Sequence, residues 1–356
     1  MRPARLIYAN PKQNSDLLYA AHFQAPDPVL FLEHQGKKTL FLSPLEIGRG
    51  KREASVDKVL PLPSGSKNIA EVIFVLLKER RIRSIEVPPN TSFALVEALK
   101  KKVKVTAGPF PFYPKRLIKT PKEVQALLKA QKVTFGAMRL AENILRQTRI
   151  KKGLLYWKGK ILTSEILRFQ ISVFLLEQDY NPLEPIVACG AHSTDPHDIG
   201  SGPLRAYCPI IVDIFPRSRT TLFYGDATRT FCRGPAPAKL KKQYAAVKKA
   251  QEWALKNIRA GQNGKTIHAQ VAKIMADEGF PKGFIHGTGH GLGLDLHEEP
   301  VRISGVDHLL KPGYVVTVEP GLYLEPLGGV RIEDVVTLTQ TGAKVLGHYP
   351  KQLEIL

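Results

Sequence analysis

Four acidic residues sit where a folding chain tolerates them least. Asp213 interrupts IIVDIF, Asp226 stands in FYGDATRTF, Glu319 ends VVTVEPG, and Glu333 lies within GVRIEDVVTL. Each run is otherwise apolar enough to read as a strand of a packed sheet. A buried carboxylate is costly, so each must be exposed, paired with a cation or bound to a metal ion. One alone fits an exposed position on a half-solvated sheet; four in the same half of the chain call for a common explanation. The runs around Asp213 and Asp226 are joined by a PRSR segment that reads as a turn. They form a hairpin in which the two carboxylates face one another across adjacent strands. Arg331 and Glu333 are two apart and share a face, while Ile332 and Asp334 point the other way.

The histidines cluster as well. HGTGHGLGLDLHEEP carries His286, His290 and His297 among glycines at 287, 289, 291 and 293. These glycines alternate and do not fit G-x-G-x-x-G, and no βαβ unit surrounds them, so a dinucleotide site is excluded. Alternating glycines instead let the backbone pass close to other groups and hold the imidazoles in place. Two Asp, one His and two Glu have the composition of a two-metal hydrolytic site, with donors that suit Mn²⁺, Co²⁺, Zn²⁺ or Fe²⁺. Two ions about 3.5 Å apart need bridging carboxylates and activate a shared water. Peptide hydrolysis, ester hydrolysis and dephosphorylation all remain open on this ground.

The surrounding chain is ordinary. Its 356 residues are 43% hydrophobic and 24% charged, long enough for two domains and unlike disordered or coiled-coil compositions. Three cysteines (Cys189, Cys208, Cys232), without a C-x-x-C pair, exclude a disulfide scaffold and a zinc finger and fit a reducing compartment. They read as buried small hydrophobes. The start has no continuous apolar segment, and no run approaches the roughly 18 residues of a membrane helix, so a soluble cytoplasmic protein is expected. The net charge of +20 raises nucleic acid as a partner, but 17 basic and only two acidic residues fall between 100 and 160. Residues 161–356 are nearly neutral. The excess reads as the solvated face of a helix, and neither nucleic acid nor membrane is expected as a partner.

Residues 1–112 alternate strands (Val29–Glu33, Thr39–Ser43) with helices and read as a small α/β domain; 113–122 read as an extended linker through FPFYPKR. Thr120, Pro121 and Glu123 then form a capping box that opens a long helix. From about residue 183, strand-like runs interrupted by two helical blocks read as an antiparallel sheet backed by helices, an α+β arrangement.

VDIF…GDATRTF, HGTGHGLGLDLHEEP, TVEPGLY and GGVRIED, in that order, resemble the pita-bread-fold metallopeptidases, and most of all the Xaa-Pro aminopeptidases and Xaa-Pro dipeptidases (prolidases). The resemblance implies a pita-bread catalytic domain over 123–356, preceded by a creatinase/prolidase-like domain over 1–112. It implies a homodimer that hydrolyses the Xaa-Pro bond of short proline-containing peptides. Asp213, Asp226, His290, Glu319 and Glu333 match the ligands of two divalent ions, with Mn²⁺ first among the candidates. Asp226 and Glu333 correspond to the bridging carboxylates, and Glu319 is also the general base. His197 matches a histidine near the scissile amide, and His297 one that donates to the carbonyl oxygen. Arg331 matches an active-site arginine, and His286 borders the substrate pocket. Methionine aminopeptidase-like and creatinase-like hydrolysis, or a non-catalytic protein- or RNA-binding role, are the alternatives. His192, His268, His308 and His348 take no role. The basic PRSR loop departs from the usual shorter hairpin and leaves substrate preference open.

Overall fold

A computed structural model describes residues 3–63, 68–299, 303–305 and 309–356. The chain divides into two units, Met1–Arg116 and Leu117–Leu356. In the first, strands Val29–His34 and Lys37–Leu42 pair with His34 opposite Lys37. The turn is therefore only Gln35 and Gly36, both at positive φ (53° and 76°), the mirror-image geometry whose twist matches a hairpin. Along the hairpin, Leu30, Leu32 and Phe41 enter one core while Val29, Phe31, Leu40 and Leu42 enter another. The six-stranded sheet is thus covered on both faces. The segment FPFYPKR is not extended. Phe112 and Tyr113 are buried in the second of these cores, the Tyr113 N–H donates to Asp16 Oδ1 at 2.8 Å, and Pro114–Leu117 form a 3₁₀ turn. Burial of two aromatic rings outweighs the extended bias of the prolines.

The second unit opens on Pro121–Arg146, capped as its sequence requires: Glu123 N–H donates to Thr120 Oγ1 (3.3 Å) and Thr120 N–H to Glu123 Oε2 (2.7 Å). Lys122, Lys129, Lys132, Arg139 and Arg146 lie on its exposed face. No helix among the described residues is long and apolar enough to cross a membrane. One continuous sheet is not what forms. Helices Pro121–Arg146 and Ser164–Glu177 share a core with strands Ile186–Cys189, Ile210–Ile214 and Ala227–Arg233. Helices Ala238–Asn257 and Gly264–Asp277 share another with Val315–Val318, the ribbon Gly321–Leu324/Gly328–Arg331, and Asp334–Leu338. Two helix-backed half-cores therefore meet along a polar seam.

That seam is stitched by hydrogen bonds. Glu333 N–H donates to the Thr228 carbonyl (3.1 Å) and Arg331 N–H to Thr230 Oγ1 (3.0 Å). Arg229, 1% exposed, donates to Asp334 Oδ1 (2.7 Å) and to the carbonyls of Thr228 and Tyr349. Asp334 also receives Lys351 (2.9 Å) and Gln251 (2.9 Å). Burial raises the Asp334 pKa, but Arg229 and Lys351 outweigh it and hold the carboxyl below its ordinary value. A depressed carboxyl contributes stability that is full above the unfolded-state pKa and is lost as pH falls through the folded one. Asp334→Asn, which strands a buried guanidinium, should cost about 3–5 kcal/mol at pH 7. In urea titrations the gap between Asp334→Asn and the parent should narrow as the pH is lowered below about 4.

Candidate metal centre

Strand register brings the first two carboxylates together. Asp213 pairs with Thr228 across the antiparallel strands Ile210–Ile214 and Ala227–Arg233. Asp226 lies two residues before Thr228, just outside the strand, on the same face and diagonal to Asp213. Its position is fixed by Gln131 of the long helix, whose Oε1 accepts the Asp226 N–H (3.0 Å) and whose Nε2 donates to the Asp226 carbonyl (2.6 Å). The helix comes this close because residue 225 is glycine: a Cβ there would stand 2.2 Å from Thr134 Oγ1. The PRSR segment is more than a turn. Arg217–Ser218 pair with Tyr180–Asn181, and Arg217 donates to the carbonyls of Leu222 and, at 3.3 Å, Leu294.

The glycines of the histidine loop work by close approach. A Cβ on Gly289 would lie 2.0 Å from the Thr317 carbonyl oxygen, and one on Gly293 would lie 2.5 Å from Glu298 Oε2. His290 N–H donates to Thr317 Oγ1 (2.9 Å), and Thr317 Oγ1 donates to Glu319 Oε1 (3.0 Å). His290 Nδ1 donates to the Gly291 carbonyl (3.0 Å), which leaves the Nε2 lone pair facing Glu319 Oε1 (3.2 Å) and Asp226 Oδ2 (3.6 Å). The loop then closes on Glu298, which accepts Leu294 N–H (2.9 Å) and pairs with buried Lys119 at 2.5 Å. Lys119 and Glu298 thereby hold the backbone between His290 and His297.

Asp226, His290 and Glu333 offer ligand atoms that all lie within 4.8 Å of one another, and all three are buried. Burial pushes the Asp226 and Glu333 pKa values well above the carboxylate range, reinforced at Asp226 by repulsion from Glu333, Asp213 and Glu319 and at Glu333 by repulsion from Glu319 and Asp213. Burial also raises the Glu319 pKa and lowers that of His290 to about 4. Thr228 Oγ1 donates to Glu333 Oε2 (2.7 Å). Asp213 Oδ2 accepts Arg331 Nη2 (2.7 Å), whereas its Oδ1 is buried and accepts no hydrogen bond among the described residues. Carboxylates driven towards protonation, a neutral imidazole with its lone pair turned inwards and an orphaned carboxylate oxygen fit divalent cations. A cation among them reverses the repulsion.

The remaining candidates line this cluster. The His297 ring stands edge-on to His290, centroids 4.2 Å apart. Its residue is exposed, yet desolvation, with His290 beside it, lowers its pKa to about 4. His197 is exposed, and it lies close enough to His286 and His297 to lower the pKa of both. Arg331 donates to Tyr323 Oη (2.8 Å), and Tyr323 Oη donates to His286 Nε2 (2.9 Å). Burial pushes the Tyr323 pKa up to about 12, so the phenol stays a donor. Sequence reasoning missed Tyr323, Gln131, Thr228, Thr317 and the Lys119–Glu298 pair. Gln131 did leave a signal, a polar side chain on the apolar stripe between Leu127 and Phe135. Of the unassigned histidines, His192 pairs with Asp198 (2.7 Å) and His268 with Thr288 (3.0 Å); His308 lies outside the described residues.

Two helix-backed half-cores with carboxylates and an imidazole between them define a pita-bread metallohydrolase, and similarity to known proteins agrees. Residues 125–340 match metallopeptidase family M24, and the chain belongs to that family. It is 35% identical over 243 residues to the uncharacterized peptidase YqhT of Bacillus subtilis, a match spanning 68% of this chain and 65% of that protein. Against an Xaa-Pro dipeptidase of Pyrococcus furiosus it is 29% identical over 325 residues, 88% of this chain and 86% of the relative. The prolidase structure from Pyrococcus horikoshii superimposes with a TM-score of 0.84 at 26% identity, covering 99% of this chain and 95% of that one.

The raised carboxyl groups set a sign for metal binding. In metal-free protein, a group whose folded pKa is raised contributes stability below its unfolded pKa and loses it as pH rises through the folded value. Metal binding requires those same protons to leave. Saturating Mn²⁺ should therefore raise the melting temperature of chelator-stripped protein at pH 7.5, and the increment should shrink as pH falls through the raised carboxyl values towards about 5. Calorimetric scans at the two pH values test this, and an increment independent of pH would contradict it.

Proposed function

We propose that the protein is a dinuclear metal-dependent exopeptidase that hydrolyses the Xaa-Pro bond of short proline-containing peptides. The observation that carries the reading is the buried Asp226–His290–Glu333 cluster, flanked by Asp213 and Glu319, in a chain related to Xaa-Pro dipeptidases. Asp213, Asp226, His290, Glu319 and Glu333 hold the ions; Mn²⁺ comes first, and Co²⁺, Zn²⁺ and Fe²⁺ suit the same donors. When bound, the ions would supply Lewis acidity and lower the pKa of a nearby water.

The side chains do the rest. Glu319, oriented by the Thr317 hydroxyl, takes a proton from the attacking water and returns it to the departing proline nitrogen. Neutral His297 donates a hydrogen bond to the carbonyl oxygen as negative charge develops there. Arg331 orients Asp213 while fixing Tyr323 against His286, which forms a wall of the substrate pocket. His197 meets the substrate near the scissile amide. In the same reading residues 1–112 form a creatinase/prolidase-like domain, 113–122 join it to the catalytic domain, and the protein acts as a cytoplasmic homodimer without nucleic-acid or membrane partners.

Chelator-stripped protein reconstituted with Mn²⁺ or Co²⁺ should release the first residue from Xaa-Pro dipeptides or tripeptides and leave Xaa-Ala analogues largely intact. Glu319→Gln should lower kcat about 10²–10⁴-fold. Absence of cleavage across all four metals, with metal binding intact, would overturn the proposal.

A further inference from the structure

Two thiols touch behind the turn that leads to His197. Cys189 ends the strand Ile186–Cys189, Cys208 lies just before Ile210–Ile214, and their sulfurs are 3.6 Å apart. Cys189 is buried, whereas Cys208, contrary to its reading as a core residue, is only half-buried. The Arg205 N–H donates to Cys189 Sγ at 3.3 Å. The two backbones are already fixed beside each other: Cys189 pairs with Ile210, and Gly190 N–H donates to the Pro209 carbonyl at 2.9 Å. The hydrolytic chemistry uses neither thiol.

We propose that Cys189 and Cys208 form an oxidisable dithiol that a hydroperoxide converts into an intramolecular disulfide. A disulfide needs sulfurs at about 2.05 Å, so the pair has about 1.5 Å to close. Cys189 is the nucleophile. Hydrogen bonds from the Cys208 thiol and the Arg205 N–H favour its thiolate and lower its pKa. In the first step the Cys189 sulfur takes the terminal oxygen of the hydroperoxide. The O–O bond breaks, and the alcohol or water leaves with the proton. In the second the Cys208 sulfur attacks the Cys189 sulfenic acid; the S–S bond forms, the S–O bond breaks, and the hydroxyl departs as water with the Cys208 proton. The two sulfurs lose two electrons together, and the peroxide oxygens gain them.

The position of the pair gives the modification a consequence. Cys189 runs directly into the 3₁₀ turn Gly190–Thr194. Ser193 Oγ of that turn accepts Gly329 N–H (2.8 Å), and a Cβ on Gly329 would lie 1.8 Å from the Ser193 carbonyl oxygen. Two residues on from Gly329 is Arg331, whose Nη1 donates to the Pro196 carbonyl (3.3 Å). The bond would form at the root of the turn that backs Arg331 and carries His197. Cys232, buried and with its pKa raised to about 11 by that burial, is an internal control.

The test is to treat the full chain with hydrogen peroxide, block the remaining thiols with N-ethylmaleimide and map the peptides by mass. The peptides holding Cys189 and Cys208 should appear linked and two hydrogens lighter, with Cys232 alkylated, and dithiothreitol should then free two reactive thiols, Cys189 and Cys208. Cys189 and Cys208 should lose reactivity about tenfold faster than Cys232. In Cys208→Ser, Cys189 should stop at a sulfenic acid trapped by dimedone. Equal rates at the three cysteines, a link to Cys232, or cross-links only between chains would overturn the proposal in the wild-type protein alone, whether or not the variant folds.

Discussion

The catalytic unit depends on holding several carboxylates in a desolvated seam without letting them force it open. Asp226 and Glu333 are buried, and burial with repulsion from neighbouring carboxylates drives both towards protonation. Such a cluster is stable in the ionised state only with cations among its members. Arg331 supplies one fixed positive charge at Asp213; the rest of the compensation falls to divalent ions. The surrounding architecture can be understood as what keeps the oxygens converged when an apolar core of the same volume would be easier to build.

Two devices keep them converged. Backbone contact is one: Gly225, Gly289 and Gly293 sit where a Cβ would collide with the helix, the strand or the carboxylate beside it. Buried polar clamps are the other. Gln131 grips the backbone of Asp226, Thr317 links His290 to Glu319, and Lys119 with Glu298 closes the loop between His290 and His297. The Arg229–Asp334–Lys351 group does the same across the two half-cores, one residue from Glu333. A buried ion pair contributes little net stability over an apolar substitute, but it penalises any packing that separates its partners. Specified geometry is what a site built from like charges requires.

Much of this was legible in the sequence. Apolar runs carrying single carboxylates pointed to strands, and of the four only Asp213 lies within one, Asp226, Glu319 and Glu333 standing just beyond strand ends. The hairpin reading brought Asp213 and Asp226 to adjacent strands, and the alternating glycines pointed to close backbone approach. The capping box at Thr120 formed as its residues demand. What stayed hidden depends on contacts distant in sequence. Nothing local says that Tyr323 lies between Arg331 and His286, that Lys119 meets a carboxylate 179 residues away, or that the strands divide into two half-cores. FPFYPKR misled because proline's local bias is weaker than the burial of Phe112 and Tyr113.

The central claim, that the seam is a two-ion site, is tested most directly by anomalous diffraction from crystals of the Mn²⁺-loaded protein. The account predicts two peaks about 3.5 Å apart between Asp226 and Glu333, one beside Asp213 and the other beside His290 and Glu319. A single peak, or manganese bound elsewhere with this cluster empty, would contradict it.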